Sequence, residues 1–195
     1  YEKLGINGSR FLASQCVHLS KKEIELISSG ETRCVHMPLS NCEVGGGIAP
    51  IPELLEQDVS ISLGSDGYIN DMFEVMRGAF LIHKARLQDP GTMKADQVFG
   101  MATLMGAKTL GLENVGALKS DFAADLQLVD ANFPTPLSKE NLIEQVILHR
   151  SGHHVDSVMI AGEWRLKNGE VLGIDLDDQR ETLRKQARRL WGEDG

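Results

Sequence analysis

Residues 59–70, VSISLGSDGYIN, constrain the fold more than any other stretch. Val59, Ile61 and Leu63 alternate with small polar residues and run into a Gly-Ser-Asp-Gly turn, after which an amphipathic pattern continues to about Gln88. A buried strand, a tight loop and a helix in that order build parallel sheets. The order also places a carboxylate, Asp66, just past the C-terminal end of a strand, where α/β folds keep their chemistry. Two similar strand ends precede it, Phe11 to His18 (FLASQCVH) and Thr32 to His36 (TRCVH). The three are read as neighbouring staves of one barrel.

Helices fill the gaps. Ser20 with Glu23 makes a capping box that opens a helix running to Ser28 and stopping at Gly30. Pro38 to Gly47 reads as a loop closed by Gly45, Gly46 and Gly47, and Pro50 and Pro52 sit at the start of a short helix, where proline's missing N–H is harmless. Asp71 to Gln88 is a long helix with Met72, Val75, Met76, Ala79 and Phe80 on its apolar face. Asp89-Pro90-Gly91 breaks it, and Lys94 to Leu110 is a second helix ended by Gly111.

From Gly116 the grammar changes. Ala124 to Asp130 is a strand, residues 132–138 a Pro-rich loop, and Asn141 to Arg150 a helix. Asp156 to Ala161, Glu163 to Lys167 and Glu170 to Leu172 read as antiparallel strands, the last two joined by an Asn168-Gly169 turn. Asp175 to Trp191 is a charged terminal helix with acids early and Arg184, Lys185, Arg188 and Arg189 late, which suits the helix dipole. The expected division is therefore residues 1–115 and 116–195.

The 195 residues suffice for a domain with a real core. A net charge of −8 argues against nucleic acid or an anionic membrane as partner. No apolar run approaches the roughly 20 residues of a membrane span. Three cysteines fit a reducing cytoplasm better than a disulfide scaffold. The first residue is Tyr1 rather than Met, which reads as a processing or fragment boundary.

Several side chains could carry chemistry. Asp66, set between glycines, suits a metal ligand or general base, and equally a turn aspartate capping the next helix. Cys16-Val17-His18 and Cys34-Val35-His36 are a matched pair, and residues at i and i+2 of a strand share a face. A Cys₂His₂ zinc site is imaginable there, although the spacing matches no zinc-finger pattern and free cysteines are commonly small core residues. Gly45 to Gly47 lacks the Lys-Ser/Thr of a phosphate-binding loop. His153 and His154 read as solvated linker residues, His83 and His149 as structural or exposed, and the methionines as core.

Four blocks give the sequence a family likeness. They are Cys16-Val17-His18-Leu19-Ser20 with Glu23-Ile24; His36-Met37-Pro38-Leu39-Ser40-Asn41 with Gly47-Ile48-Ala49-Pro50; Leu63-Gly64-Ser65-Asp66-Gly67 with Asp71-Met72-Phe73-Glu74; and Ala124-Asp125-Leu126 with Val158 to Glu163. Together they resemble the amidohydrolase superfamily, in its metal-dependent aminohydrolase and chlorohydrolase branch, with the SsnA-like aminohydrolases nearest.

The resemblance implies an α/β fold: the C-terminal part of a TIM-like (β/α)8 barrel, strands six to eight, followed by trailing strands of a small β-sandwich and a C-terminal helix. It implies a hydrolase of C–N bonds, deaminase-like, acting on a cyclic amidine or purine-like small molecule with a divalent metal, zinc or iron. Asp66 corresponds to the strand-eight aspartate, metal ligand and general base. Gln15 stands where the family has the strand-six catalytic histidine, and His36, His18 and Asn41 fall at substrate-binding positions.

Two departures matter. Glutamine hydrogen-bonds but cannot shuttle a proton near neutral pH. The chain also has no H-x-H pair and no strand-five histidine. A catalytic zinc needs about three protein ligands, so the chain alone is expected to be inactive and metal-free. The expected partner is a second copy or a chain supplying the rest of the barrel. The alternative is a non-catalytic truncated homologue serving as a binding or assembly subunit.

Overall fold

The computed structural model describes residues 2–67 and 69–192. Tyr68, in the loop that frames the sequence reading, lies outside the described residues, as do Tyr1 and residues 193–195. The chain divides into two compact units: residues up to 122 together with 131–154, and residues 123–130 together with those from 155 onward.

Unit 1 is built on three short parallel strands in the order β1-β2-β3: β1 (Leu12–Ser14), β2 (Arg33–His36) and β3 (Ile61–Leu63). Ala13 pairs with Cys34, and His36 with Leu63. Between β1 and β2 runs α1 (Lys21–Ser29). Its capping box forms as the sequence predicts, with Ser20 accepting from the Glu23 amide and Glu23 reaching back to the Ser20 amide at 2.7 Å.

Residues 38–43 are not loop. They form α2 (Pro38–Glu43), with Pro38 in the first turn, where its fixed φ favours a helix start. Pro38, Ser40 and Asn41 are buried, and that burial holds so short a helix. α3 (Ile51–Leu55) follows, and α4 (Met72–Leu87) is the long helix, capped by the Asp71 carboxylate on the Phe73 amide.

The single helix expected over residues 94–110 is two: α5 (Ala95–Ala102) and α6 (Leu104–Leu110), broken at Thr103. Gly116 packs against the break. A Cβ there would lie 2.9 Å from the Leu104 Cα and 3.0 Å from the Thr103 carbonyl, so the returning chain is wedged against the junction. α7 (Leu142–His149) packs on α4 and α5 and so belongs to unit 1, not with the strands that flank it in sequence. Arg77 of α4 fixes it by donating to the carbonyls of Ile147 (3.1 Å) and Arg150 (2.6 Å).

The core of unit 1 lies among these helices and β3, with Leu54, Ile61, Val75, Val98, Met101 and Ile147 fully buried. On the strands' polar side, Arg33 donates to the Thr109 carbonyl at 2.6 Å and Ser60 meets the Thr109 hydroxyl at 2.9 Å, which fixes α6.

Unit 2 is an antiparallel sheet, β4 (Leu126–Val129), β5 (Val155–Ile160), β6 (Glu163–Lys167) and β7 (Glu170–Val171), in that order, with α8 (Leu176–Trp191). The Asn168-Gly169 turn forms with both residues at positive φ, 50° and 81°, as a type I′ hairpin requires. Ala161-Gly162 makes a second such turn, helped by the Asp125 carboxylate, which accepts from the Ala161 amide at 2.7 Å.

Candidate active site

The C-terminal ends of β1 and β3 meet in one cluster. Past β1 the chain turns through two consecutive non-glycine residues at positive φ, Gln15 (66°) and Cys16 (51°). Past β3, Asp66 also sits at positive φ (57°), ahead of Gly67 (79°). Backbone in this region is sparsely populated by residues other than Gly, Asn and Asp, and such outliers gather at functional sites. The Gln15 amide nitrogen Nε2 donates to Asp66 Oδ2 at 2.6 Å. Ser40, on α2, donates its hydroxyl to the same oxygen at 2.7 Å. Both donors occupy Oδ2, so Oδ1 is the carboxylate oxygen that neither takes up. The amide's orientation follows from this arrangement, since only its NH₂ end can donate to a carboxylate.

The sequence-derived candidates therefore separate. Gln15 and Asp66 come together. His36 does not join them: it is 1% exposed, and its Nε2 lies 3.0 Å from Nε2 of His83 on α4. Burial, then the neighbouring ring, push the His36 pKa down to about 3, and burial followed by the Arg86 guanidinium pushes His83 down to about 4. Both rings are thus neutral, one donating its Nε2–H to the other, and both Nδ1 atoms are buried without a partner. His18 is exposed and lies near Gly47, where an added Cβ would come within 4.0 Å of its ring. Asn41 is buried beside Ser40; its carbonyl accepts from the Gly46 amide at 2.8 Å.

Ser40 gives no local signal of its own, because its contact with Asp66 spans 26 residues and the short helix that carries it reads as a loop in the sequence. His83 gave no local signal, because its partner is 47 residues away in sequence. The glycine triplet's use is conformational: Gly47, at φ +105°, passes 3.2 Å from Val17 Cγ1 as measured from an added Cβ.

Among the described residues, no three His, Cys, Asp or Glu side chains are grouped to hold a metal ion. The cluster offers one carboxylate, which falls short of the roughly three protein ligands of a zinc centre. This donor set therefore does not hold such a metal by itself. Asp66 is the ligand it can contribute.

Residues 1–165 match the profile of the amidohydrolase family. The chain belongs to that family. It is 33% identical over 193 residues to a 5'-deoxyadenosine deaminase of Methanopyrus kandleri, covering 97% of this chain and 45% of the relative. To a 5-methylthioadenosine/S-adenosylhomocysteine deaminase of Pelotomaculum thermopropionicum it is 37% identical over 183 residues, covering 92% and 42%. It thus spans less than half the length of these relatives, and matches their C-terminal part.

Among solved structures, a zinc-bound adenosine deaminase from Xanthomonas campestris superposes with a TM-score of 0.90 at 28% identity, over 98% of this chain and 45% of that one. The zinc complex of an atrazine chlorohydrolase from Arthrobacter aurescens gives 0.79 at 23% identity, over 93% and 41%, a likeness of fold. The family is one of metal-dependent hydrolases, and the named relatives are deaminases, which hydrolyse C–N bonds. Among the described residues no helix is long and apolar enough to cross a membrane.

Proposed function

We propose that this chain is the C-terminal portion of a metal-dependent aminohydrolase that removes an amino group from a purine-like ring, with Asp66 as its proton-handling carboxylate. The observation that carries the reading is the convergence of Gln15 and Ser40 on one oxygen of Asp66 at the mouth of parallel strands. Two hydrogen bonds to Oδ2 fix the carboxylate plane and leave Oδ1 for the reacting side. In that position Asp66 takes a proton from the attacking water and returns it to the departing amine, which leaves as ammonia.

Asp66 would be one ligand of a zinc or iron ion in the whole protein, with the others supplied from outside these residues, and such an ion would lower the pKa of a bound water. Gln15 and Ser40 are positioning residues. His36, locked neutral against His83, shapes the end of β2, while His18 and Asn41 stand toward the substrate. β1, β2 and β3 are read as barrel strands six to eight, and unit 2 as the trailing part of a β-sandwich. The setting is cytoplasmic, and activity requires the remainder of the barrel, which carries the ligands these residues lack.

A second reading, a non-catalytic homologue that binds or assembles, is favoured by Gln15, a side chain that cannot titrate where proton transfer is needed. The two separate in one assay. Zinc-loaded full-length natural protein is given 5'-deoxyadenosine, S-adenosylhomocysteine, adenosine and guanine, and ammonia is measured. Release from at least one purine supports the enzyme. Bound zinc with no ammonia from any of them supports the second reading.

A further inference from the structure

The two Cys-Val-His segments do not build one four-ligand site, because their histidines go separate ways. Their cysteines meet: Cys16 Sγ lies 3.7 Å from Cys34 Sγ. In the strand ladder Cys34 pairs with Ala13, three residues before Cys16. The left-handed turn at Gln15 and Cys16 folds the chain back, with the Cys16 amide donating to the Ser14 carbonyl at 2.8 Å, and so returns the Cys16 thiol over Ala13 to its partner. Cys34 is fully buried in β2, whereas Cys16 is half-buried and sits beyond the last ladder pair of its strand. The third cysteine, Cys42, is exposed.

We propose that Cys16 and Cys34 are a redox-active dithiol that closes to an intramolecular disulfide on reaction with hydrogen peroxide. The Cys16 thiolate attacks one peroxide oxygen, the O–O bond breaks, and hydroxide leaves and is protonated to water. This gives a sulfenic acid on Cys16. The Cys34 sulfur then attacks the Cys16 sulfur, the S–O bond breaks, and a second water leaves. Two thiols are oxidised to one disulfide and one peroxide is reduced to two waters. The contact with Cys34 holds the Cys16 thiol below the usual thiol range, and the same contact together with burial raises Cys34, which suits Cys16 as the first to react. Closure brings the sulfurs from 3.7 Å to about 2 Å. That movement falls on a turn outside the strand ladder. Because Gln15 is the next residue, closure also draws on the Gln15–Asp66 hydrogen bond; this consequence, unlike the disulfide itself, rests on the aminohydrolase reading.

The test uses the full-length natural protein carrying Cys42→Ser, reduced, freed of reductant and treated with hydrogen peroxide. Alkylation in denaturant, trypsin digestion and mass spectrometry follow. The expected product joins the tryptic peptide of residues 11–21 to that of residues 34–77, accounts for most of the Cys16 peptide, and disappears on reduction and in Cys16→Ser. Recovery of both peptides singly alkylated overturns the proposal, as does Cys16 carrying added oxygen beside an alkylated Cys34. A link from Cys16 to a second chain overturns it as well.

Discussion

His36 and His83 form a buried pair whose energetic consequence can be worked out with its sign. Free histidine takes up a proton near pH 6.5, whereas the folded pair stays neutral down to about pH 4 for His83 and about pH 3 for His36. Below pH 6.5 the unfolded chain therefore binds more protons than the folded one, and stability falls as pH falls. The loss approaches about 1.4 kcal/mol per pH unit for each histidine until the folded rings titrate. Melting temperature should be flat above pH 7 and drop between pH 6.5 and 4. His83→Gln keeps a hydrogen-bonding group but removes one titration, so its slope should be about half that of the parent. Equal slopes would show that His83 is not held neutral. At this scale Asp66 was legible as a strand-end residue, whereas Gln15 was reached only through the family resemblance, since the strand reads on to His18 and in fact ends at Ser14. That Gln15 donates to Asp66, that Ser40 shares the same oxygen and that His36 turns away from both are matters of long-range contact, which no local pattern carries.

Element boundaries follow the same division between local and distant causes. The capping box of α1, the proline start of α3, the Asp71 cap of α4 and the Asn168-Gly169 hairpin are chemistries of neighbouring residues, and each was readable. α2 and the break between α5 and α6 depend on what packs against them, and neither was. Close packing at the end of β3 gives a direct test. A Cβ on Gly64 would lie 2.9 Å from Val35 Cγ1 and 3.3 Å from Met37 Cε, while one on Gly8 would meet nothing within 4 Å. Gly64→Ala should cost about 1–3 kcal/mol as an overpacking change, read as a lower urea midpoint. Gly8→Ala, half-buried but with open space for the added methyl, should stay within about 0.5 kcal/mol. Equal midpoints would mean that β2 and β3 are packed less tightly than described.

For the molecule as a whole, surfaces without partners are the main consideration. Among the described residues, β1 and β3 each have one strand neighbour in their sheet. On α8, Leu183 is 68% exposed, Leu190 81% and Trp191 72%. Unpaired strand edges and exposed apolar side chains favour association. The 195-residue chain should therefore sediment at micromolar concentration as a species larger than a monomer. A compact monomer would contradict this. The α/β character and the switch from parallel to antiparallel strands near residue 116 were visible in the order of patterns. The discontinuous make-up of the two units was not, because α7 is drawn to α4 and α5 by contacts that skip the intervening strand.

The most direct test of the central claim is the rate of ammonia release by the full-length, zinc-loaded protein with Asp66→Asn, compared with the parent on the same purine. Asparagine keeps the shape and loses the charge and the proton-accepting oxygen. A proton-handling carboxylate contributes about 10²–10⁴-fold to rate, so kcat should fall by at least about a hundredfold while the melting temperature holds. Activity within tenfold of the parent would contradict the account, since Asp66 would then be a turn residue and the chemistry would lie elsewhere.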